Sequence, residues 1–248
     1  MRVKRRGARR RRCREPPEPE AYILDFRPPN PDDRHREHRE QDFLQLLGAY
    51  YFTLMEALPR YDIDVEMQIG ERVPLVGEKA AVKECSIVFI DYEELSPYAR
   101  SKLEEIIPEV VKSRERVFVH FFNVAPPINI RFHMLELLPG IGKKTMMKIL
   151  EERARKPFES FEDIKRRVRI DPVKVISERI LRELRGDERY YIFVNPPPKA
   201  RKRRDIVVIG ILSKLYEEVG GIETPSSGEE GAARVGKEAV EENREAQA

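Results

Sequence analysis

Between residues 20 and 92 the apolar positions come in short runs punctuated by glycine and proline. Residues 22–26 (Tyr-Ile-Leu-Asp-Phe), 50–58, 71–76 and 85–92 read as strands. The last has Ile87, Val88, Phe89 and Ile90 as its β-branched and aromatic centre, and Gly70 and Gly77 mark turns. Strands this short at this spacing predict a small closed or nearly closed sheet, such as an OB-like barrel. Residues 28–42, rich in Pro, Asp, Arg and His, read as a loop.

The period then lengthens. Ser96-Pro97 supplies an N-cap and a first-turn proline, opening a helical stretch towards Asn123 that is expected to break at Pro108. Residues 130–138 are apolar at helical spacing and end at Pro139-Gly140-Ile141-Gly142. Residues 143–153 continue as a helix, with Met146, Met147, Ile149 and Leu150 facing inward. Ser160-Phe161-Glu162-Asp163 is a capping-box pattern that starts a third helix through Val168. Asp171-Pro172 opens a fourth, with Val173, Ile176, Ile180 and Leu184 on one face and Gly186 as the stop. Four helices in two hairpins follow. The second connection, Arg169-Ile170-Asp171-Pro172, reads as a degenerate, glycine-free copy of the first. Residues 190–194 read as a short strand and 206–219 as a short helix or strand.

Composition matters most at the two ends. A 40 % hydrophobic share of 248 residues is enough for one or two ordered cores. The longest apolar run, seven residues from Ile206 to Leu212, is too short to span a bilayer. The first residues lack the apolar stretch of a secretory signal, so no membrane association and a cytoplasmic location are expected. Net charge is +3, but it is segregated. Residues 1–19 carry 9 basic and 2 acidic side chains, residues 20–130 carry 13 and 21, and residues 131–194 carry 16 and 11. Residues 195–205 carry 5 and 1, and residues 206–248 carry 4 and 9. Salt screens charge beyond about 8–10 Å, so polyanions respond to these local blocks and not to the average.

Leu138-Pro139-Gly140-Ile141-Gly142-Lys143-Lys144 resembles the hairpin of the helix-hairpin-helix module. Glycine admits backbone conformations closed to other residues and removes the side chain that would hold a phosphate away. The N–H groups of Gly140, Ile141 and Gly142 are placed to converge on a phosphate oxygen at a helix N-terminus, where the dipole favours an anion. Lys143 and Lys144 add full charges, and Ile141 plugs the turn into the core. Such contacts position a strand without reading its bases. Two further basic groups suit phosphates. One is the N-terminal arm with Arg9, Arg10, Arg11 and Arg12, and the other is the cluster Lys199, Arg201, Lys202, Arg203 and Arg204.

A wider resemblance rests on Tyr22-Ile-Leu-Asp-Phe26, Tyr51-Phe-Thr-Leu54, Ile69-Gly-Glu-Arg-Val73, Leu135 to Thr145, Lys156 to Ile164 and Asp187 to Val194. Together these resemble the archaeal family catalogued as domain of unknown function 655. The resemblance implies an OB-like part joined to a helix-hairpin-helix part, with a nucleic-acid-binding role. Its members are often encoded near RNA polymerase, ribosomal-protein and rRNA-methyltransferase genes, which points towards RNA in preference to DNA.

The expected fold is α+β. A disordered basic arm (1–19) precedes an acidic OB-like β-barrel domain with trailing helices (20–123). An all-α tandem helix-hairpin-helix domain (124–194), a basic Pro-rich linker (195–205) and an acidic, mostly disordered tail (206–248) follow. The expected function is non-catalytic nucleic-acid binding, with no cofactor, no metal and no small-molecule substrate. A protein–protein adaptor using the acidic barrel is the alternative. A DNA glycosylase/lyase is a third, because that superfamily places a catalytic lysine where Lys144 stands and an aspartate near Asp163. The capping box already explains Asp163, and a Schiff-base lysine needs a desolvated amine. Tyr22, Phe26, Tyr50, Tyr51 and Phe52 are candidates for base stacking, but strand aromatics ordinarily face a core. His35 and His38, with Asp32, Asp33 and Glu37, have metal-ligand character but no expected rigid element to hold them, so a solvated loop is expected.

Overall fold

The computed structural model describes residues 18–62 and 67–220. Arg9, Arg10, Arg11 and Arg12, and residues 221–248 of the expected tail, lie outside the described residues. Strand β1 (Glu20–Arg27) is followed by β2 (Phe43–Gly48), β3 (Leu54–Ala57), β4 (Arg72–Pro74) and β5 (Val88–Phe89). They form one antiparallel sheet in the order β4-β1-β2-β3-β5. The expected closed barrel is, among the described residues, an open sheet. Its edge strands are only three and two residues long and one carries Pro74, so neither has the ladder needed to close. Strand β2 was not anticipated. All six of its residues are buried, so it lacks the alternation that betrays a half-exposed strand.

The two faces of the sheet meet different material. Ala21, Ile23, Leu44, Leu46, Met55 and Ala57 pack under Val73, Leu75, Ala81 and Val82 of the return segment. Leu24, Leu47 and Leu54 face the helices. A bulge between Ile23 and Asp25 re-aims β1, and the Asp25 carboxylate accepts the Ser96 hydroxyl at 2.6 Å. Ser96 in turn caps α1 (Pro97–Ser113), accepting from the Ala99 N–H at 2.9 Å. The helix does not break at Pro108. Glu104 and Glu105, a turn earlier, are exposed, while Leu103, Ile106, Ile107, Val110 and Val111 are buried and hold both halves in line.

Helix α2 (Glu115–Val124) buries Val117, Phe118, Val119, Phe121 and Phe122 and is the centre of the helical layer. Strands β6 (Pro127–Asn129) and β7 (Phe132–His133) replace the expected start of a helix at residue 130. Asn129 accepts the Arg131 N–H through its side chain at 2.9 Å and so captures the backbone into a turn, leaving Ile130 fully exposed. The remaining elements are α3 (Lys143–Arg155), α4 (Phe161–Val168), α5 (Pro172–Leu184), β8 (Tyr190–Tyr191), α6 (Pro198–Arg201), β9 (Val207–Val208) and α7 (Ile211–Val219). Residues 195–205, read as a spacer, carry α6 and bury Pro196, Pro197 and Ala200. The first part of the expected tail is folded too, since Ile211, Leu212, Leu215 and Tyr216 are buried. One apolar cluster runs continuously from Leu24 through α1, α2 and α5 to Tyr216. No helix among the described residues is long and apolar enough to cross a membrane.

Residues 28–42 are not simply a solvated loop. They hold a 3-10 turn (Arg36–Arg39) with His38 buried and stacked on Phe43, ring centroids 4.2 Å apart. The expected arm (1–19) likewise ends early, because Glu18 is fully buried. Its carboxylate accepts the N–H groups of Tyr50, Tyr51 and Thr53 and the Thr53 hydroxyl at 2.8–3.2 Å. The room for it exists because residue 48 is glycine: a Cβ there would lie 2.2 Å from Glu18 Oε1.

Two predictions follow from this anchor. Gly48→Ala should lower stability by about 1–3 kcal/mol, because four donors hold the displaced carboxylate in place. Urea unfolding checks this, and an unchanged midpoint refutes it. Burial pushes the Glu18 carboxyl from its ordinary 4.5 up to about 7, against the pull of its donors. The folded chain then keeps a proton that the unfolded chain releases. Its contribution is full below about pH 4.5 and is lost as pH rises through about 7. From about pH 5 to pH 8 the wild type should therefore lose melting temperature relative to Glu18→Gln. Parallel curves would remove the assignment.

Candidate nucleic-acid interface

The segment leading into the glycine turn is built by side chains that cap backbone. His133 Nδ1 accepts the Leu135 N–H at 3.1 Å, and Glu136 accepts the His133 N–H at 3.0 Å. They hold a 3-10 turn (Met134–Leu137) where a longer helix was expected. Residues 134–184 thus contain three α-helices and this one short turn.

The turn itself is set by Gly140, whose φ of +76° lies in the left-handed region. Ile141 is buried, as expected of the plug, while Gly140, Gly142, Lys143 and Lys144 are exposed. A Cβ added at Gly140 or Gly142 would meet nothing within 4 Å, so both backbone positions face open space. The Ile141 N–H is not available, since it donates to the Leu138 carbonyl at 3.1 Å. That corrects the expectation of three converging amides. The Gly140 and Gly142 N–H groups have no partner among the described residues. Gly142 is the N-cap of α3 and brings no side chain to cap it. Lys144 and Lys148 stand one turn apart on the exposed side of α3, and neither they nor Lys143 form an ion pair among the described residues. Met147, expected in the core, is 51 % exposed between them.

The second connection is built alike but closed. Arg169 takes the left-handed conformation at φ +69°, and the Asp171 side chain accepts the Lys174 N–H at 3.1 Å at the start of α5. The position an external anion would occupy is filled by the chain's own carboxylate. Asp163 is also committed: it pairs with Arg166 at 2.6 Å and with Arg167 at 3.0 Å.

A buried charge pair that the sequence reading missed holds the glycine turn in place. Glu183 is fully buried and accepts the N–H groups of Ile192, Phe193 and Val194 at 2.8–3.0 Å. Arg179 donates to Glu183 at 2.8 Å, to Glu188, to the Tyr190 carbonyl and, at 3.2 Å, to the Leu137 carbonyl just before the turn. Burial pushes the Glu183 carboxyl up, and the Arg179 charge pulls it back. The available signal was a charged i, i+4 pair on the same stripe of α5 as Ile176 and Ile180.

Elsewhere the expected cations are partly occupied. Lys199 bridges Glu93 at 2.8 Å and Asp187 at 3.4 Å, Arg203 pairs with Asp205 at 2.8 Å, and Arg201 donates to Asn195 and the Pro196 carbonyl. Lys202 and Arg204 are exposed and unpaired among the described residues. Of the strand aromatics, Phe52 is fully buried, and Tyr50 and Tyr51 pack edge-on against Tyr216. Tyr22 is half-buried, so Phe26 alone of the five counts as exposed.

Comparison with known proteins adds lineage without activity. Residues 17–195 match the family model described as "Protein of unknown function (DUF655)". The uncharacterized protein MJ0038 of Methanocaldococcus jannaschii is 43 % identical over 176 residues, 70 % of this chain and 78 % of its own. The crystal structure of Af1531 from Archaeoglobus fulgidus, from the same family, is 40 % identical with a TM-score of 0.62. The match covers 72 % of this chain and all of that one.

Replacing Arg179 by Met would leave Glu183 buried without its cation. The expected cost is about 3–5 kcal/mol, read by chemical denaturation, with loss of protection at the Leu138 and Ile141 amides in hydrogen exchange. A variant as stable as wild type would show that the pair does not hold the turn.

Proposed function

The chain belongs to the archaeal family of proteins of unknown function DUF655, and we propose that it is a non-catalytic nucleic-acid-binding protein. It grips phosphates through a helix-hairpin-helix at residues 138–144. The observation that carries this reading is the uncapped start of α3. Two exposed glycines offer their N–H groups beside Lys143 and Lys144, while the equivalent start of α5 is sealed by Asp171. A helix dipole, free amides and two ammonium groups at one point suit a phosphate oxygen. Lys148, one turn beyond Lys144, extends the positive field. RNA is the favoured polymer, on the gene neighbourhoods that the family resemblance implies. The strand aromatics are largely packed, so this grip relies on phosphates and not on stacking.

The lyase alternative is disfavoured by the same geometry. Lys144 is exposed instead of desolvated, and Asp163 is held by two arginines.

Salt titration tests the proposal. If the hairpin and the arm neutralise roughly five phosphates, log K should fall against log salt with a slope of about −3.5 on single strands or about −4.5 on duplex DNA. Lys143→Ala should reduce that slope by somewhat under one unit, roughly equally across sequences. Absence of RNA and DNA affinity at low salt would sink the reading in favour of an adaptor. Borohydride trapping of a Lys144-dependent adduct on abasic DNA would sink it in favour of the lyase.

A further inference from the structure

Beside strand β3, Asp33, His35, His38 and Glu56 come together. We propose that these four residues form a closed site for a divalent transition-metal ion, with zinc as the fitting metal. The inference is independent of nucleic-acid binding.

Geometry carries it. His35 Nδ1 lies 3.5 Å from Asp33 Oδ1 and 3.7 Å from Glu56 Oε2, and His38 Nδ1 lies 3.5 Å and 3.4 Å from the same two oxygens. A tetrahedral zinc ion with bonds of 2.0–2.2 Å to nitrogen and oxygen separates its ligands by about 3.3–3.5 Å. Four of the six edges of such a tetrahedron are thus matched, and Asp33, His35 and His38 each place a ligand atom within 4.8 Å of the other two. The same separations are too long for good hydrogen bonds. Both Nδ1 atoms are buried and without a hydrogen-bond partner, and the His38 side chain is 1 % exposed. A buried imidazole nitrogen aimed at two carboxylate oxygens and bonded to neither is a costly arrangement unless something lies between them.

The charges point the same way. Two carboxylates face the same pair of imidazole nitrogens, and among the described residues neither pairs with a lysine or arginine. The nearby Arg34 guanidinium pairs instead with Glu94 at 2.7 Å. A dication would neutralise the pair.

Each ligand is also held. Glu56 lies on β3 directly opposite Gln45 of β2, and Gln45 Nε2 donates to Glu56 Oε1 at 2.8 Å, which leaves Oε2 turned to the histidines. Gln45 is itself fixed by the Ser96 N–H on its oxygen and the Glu94 carbonyl on its nitrogen. Asp33 Oδ1 accepts the His35 N–H at 2.7 Å, and the His38 ring stacks on Phe43. Such outer contacts are what orient metal ligands. Two imidazoles favour zinc over calcium or magnesium, and four protein ligands leave no open position, which marks a structural site and not a catalytic one. Bound there, zinc would staple residues 33–38 to the sheet.

The test uses the full chain stripped by a chelator and then titrated with zinc or with cobalt(II). One zinc per chain, a higher melting temperature and the intense visible spectrum of tetrahedral cobalt are expected. Glu56→Gln, which preserves volume, should abolish stoichiometric uptake, and so should His35→Ala at a partly exposed position where the fold has less to lose. Gln45→Ala should weaken zinc roughly 10–100-fold. A folded wild-type chain that takes up no stoichiometric zinc would overturn the proposal. So would uptake unchanged by both Glu56→Gln and His35→Ala, or an octahedral cobalt spectrum.

Discussion

Arg179 and Glu183 carry the interaction on which the helical half of the molecule depends. One buried carboxylate gathers three successive backbone N–H groups from residues 192–194, and one buried guanidinium reaches the carbonyls at Leu137 and Tyr190. Segments distant in sequence, the approach to the glycine turn, α5 and the strand after it, are thereby locked to one another. A pair taken this far out of water is weakly favourable at best as a simple attraction. Its value is that all four acceptor positions of Glu183 and four of the five Arg179 N–H groups have fixed partners, which gives the turn one position relative to α5.

A common device recurs in the fold. Glu18 fills the nest of amides at residues 50–53, Glu183 fills the one at 192–194, and Asp171 caps the start of α5. At these three places the chain supplies its own anion. The turn at Gly140 to Lys143 departs from that habit. It leaves the Gly140 and Gly142 N–H groups without a partner among the described residues, beside two lysines and no internal carboxylate.

Much of the helical half was legible, because its signals are local. Ser96, Ser160 and Asp171 cap where the sequence says they should, accepting from Ala99, Asp163 and Lys174. Ile141 is buried in the turn, as expected of the plug. The failures were places where distant residues decided. β2 is masked by burial on both faces, and the apparent helix after residue 130 yields to the side chains of Asn129 and His133. His38 and Glu56 are eighteen positions apart, and only the pairing of β2 with β3 brings them together. No spacing rule reaches across such a gap, whereas the mixed α+β character and the family needed only the motifs.

The anchor at Glu18 has a topological consequence. Glu18 binds the Tyr50 N–H, and the Tyr216 hydroxyl binds the Tyr50 carbonyl while receiving a bond from Arg114. The first described residue and α7 are therefore moored to the N–H and the carbonyl of a single residue, Tyr50. Two segments separated by roughly two hundred positions of sequence thus share one anchoring residue.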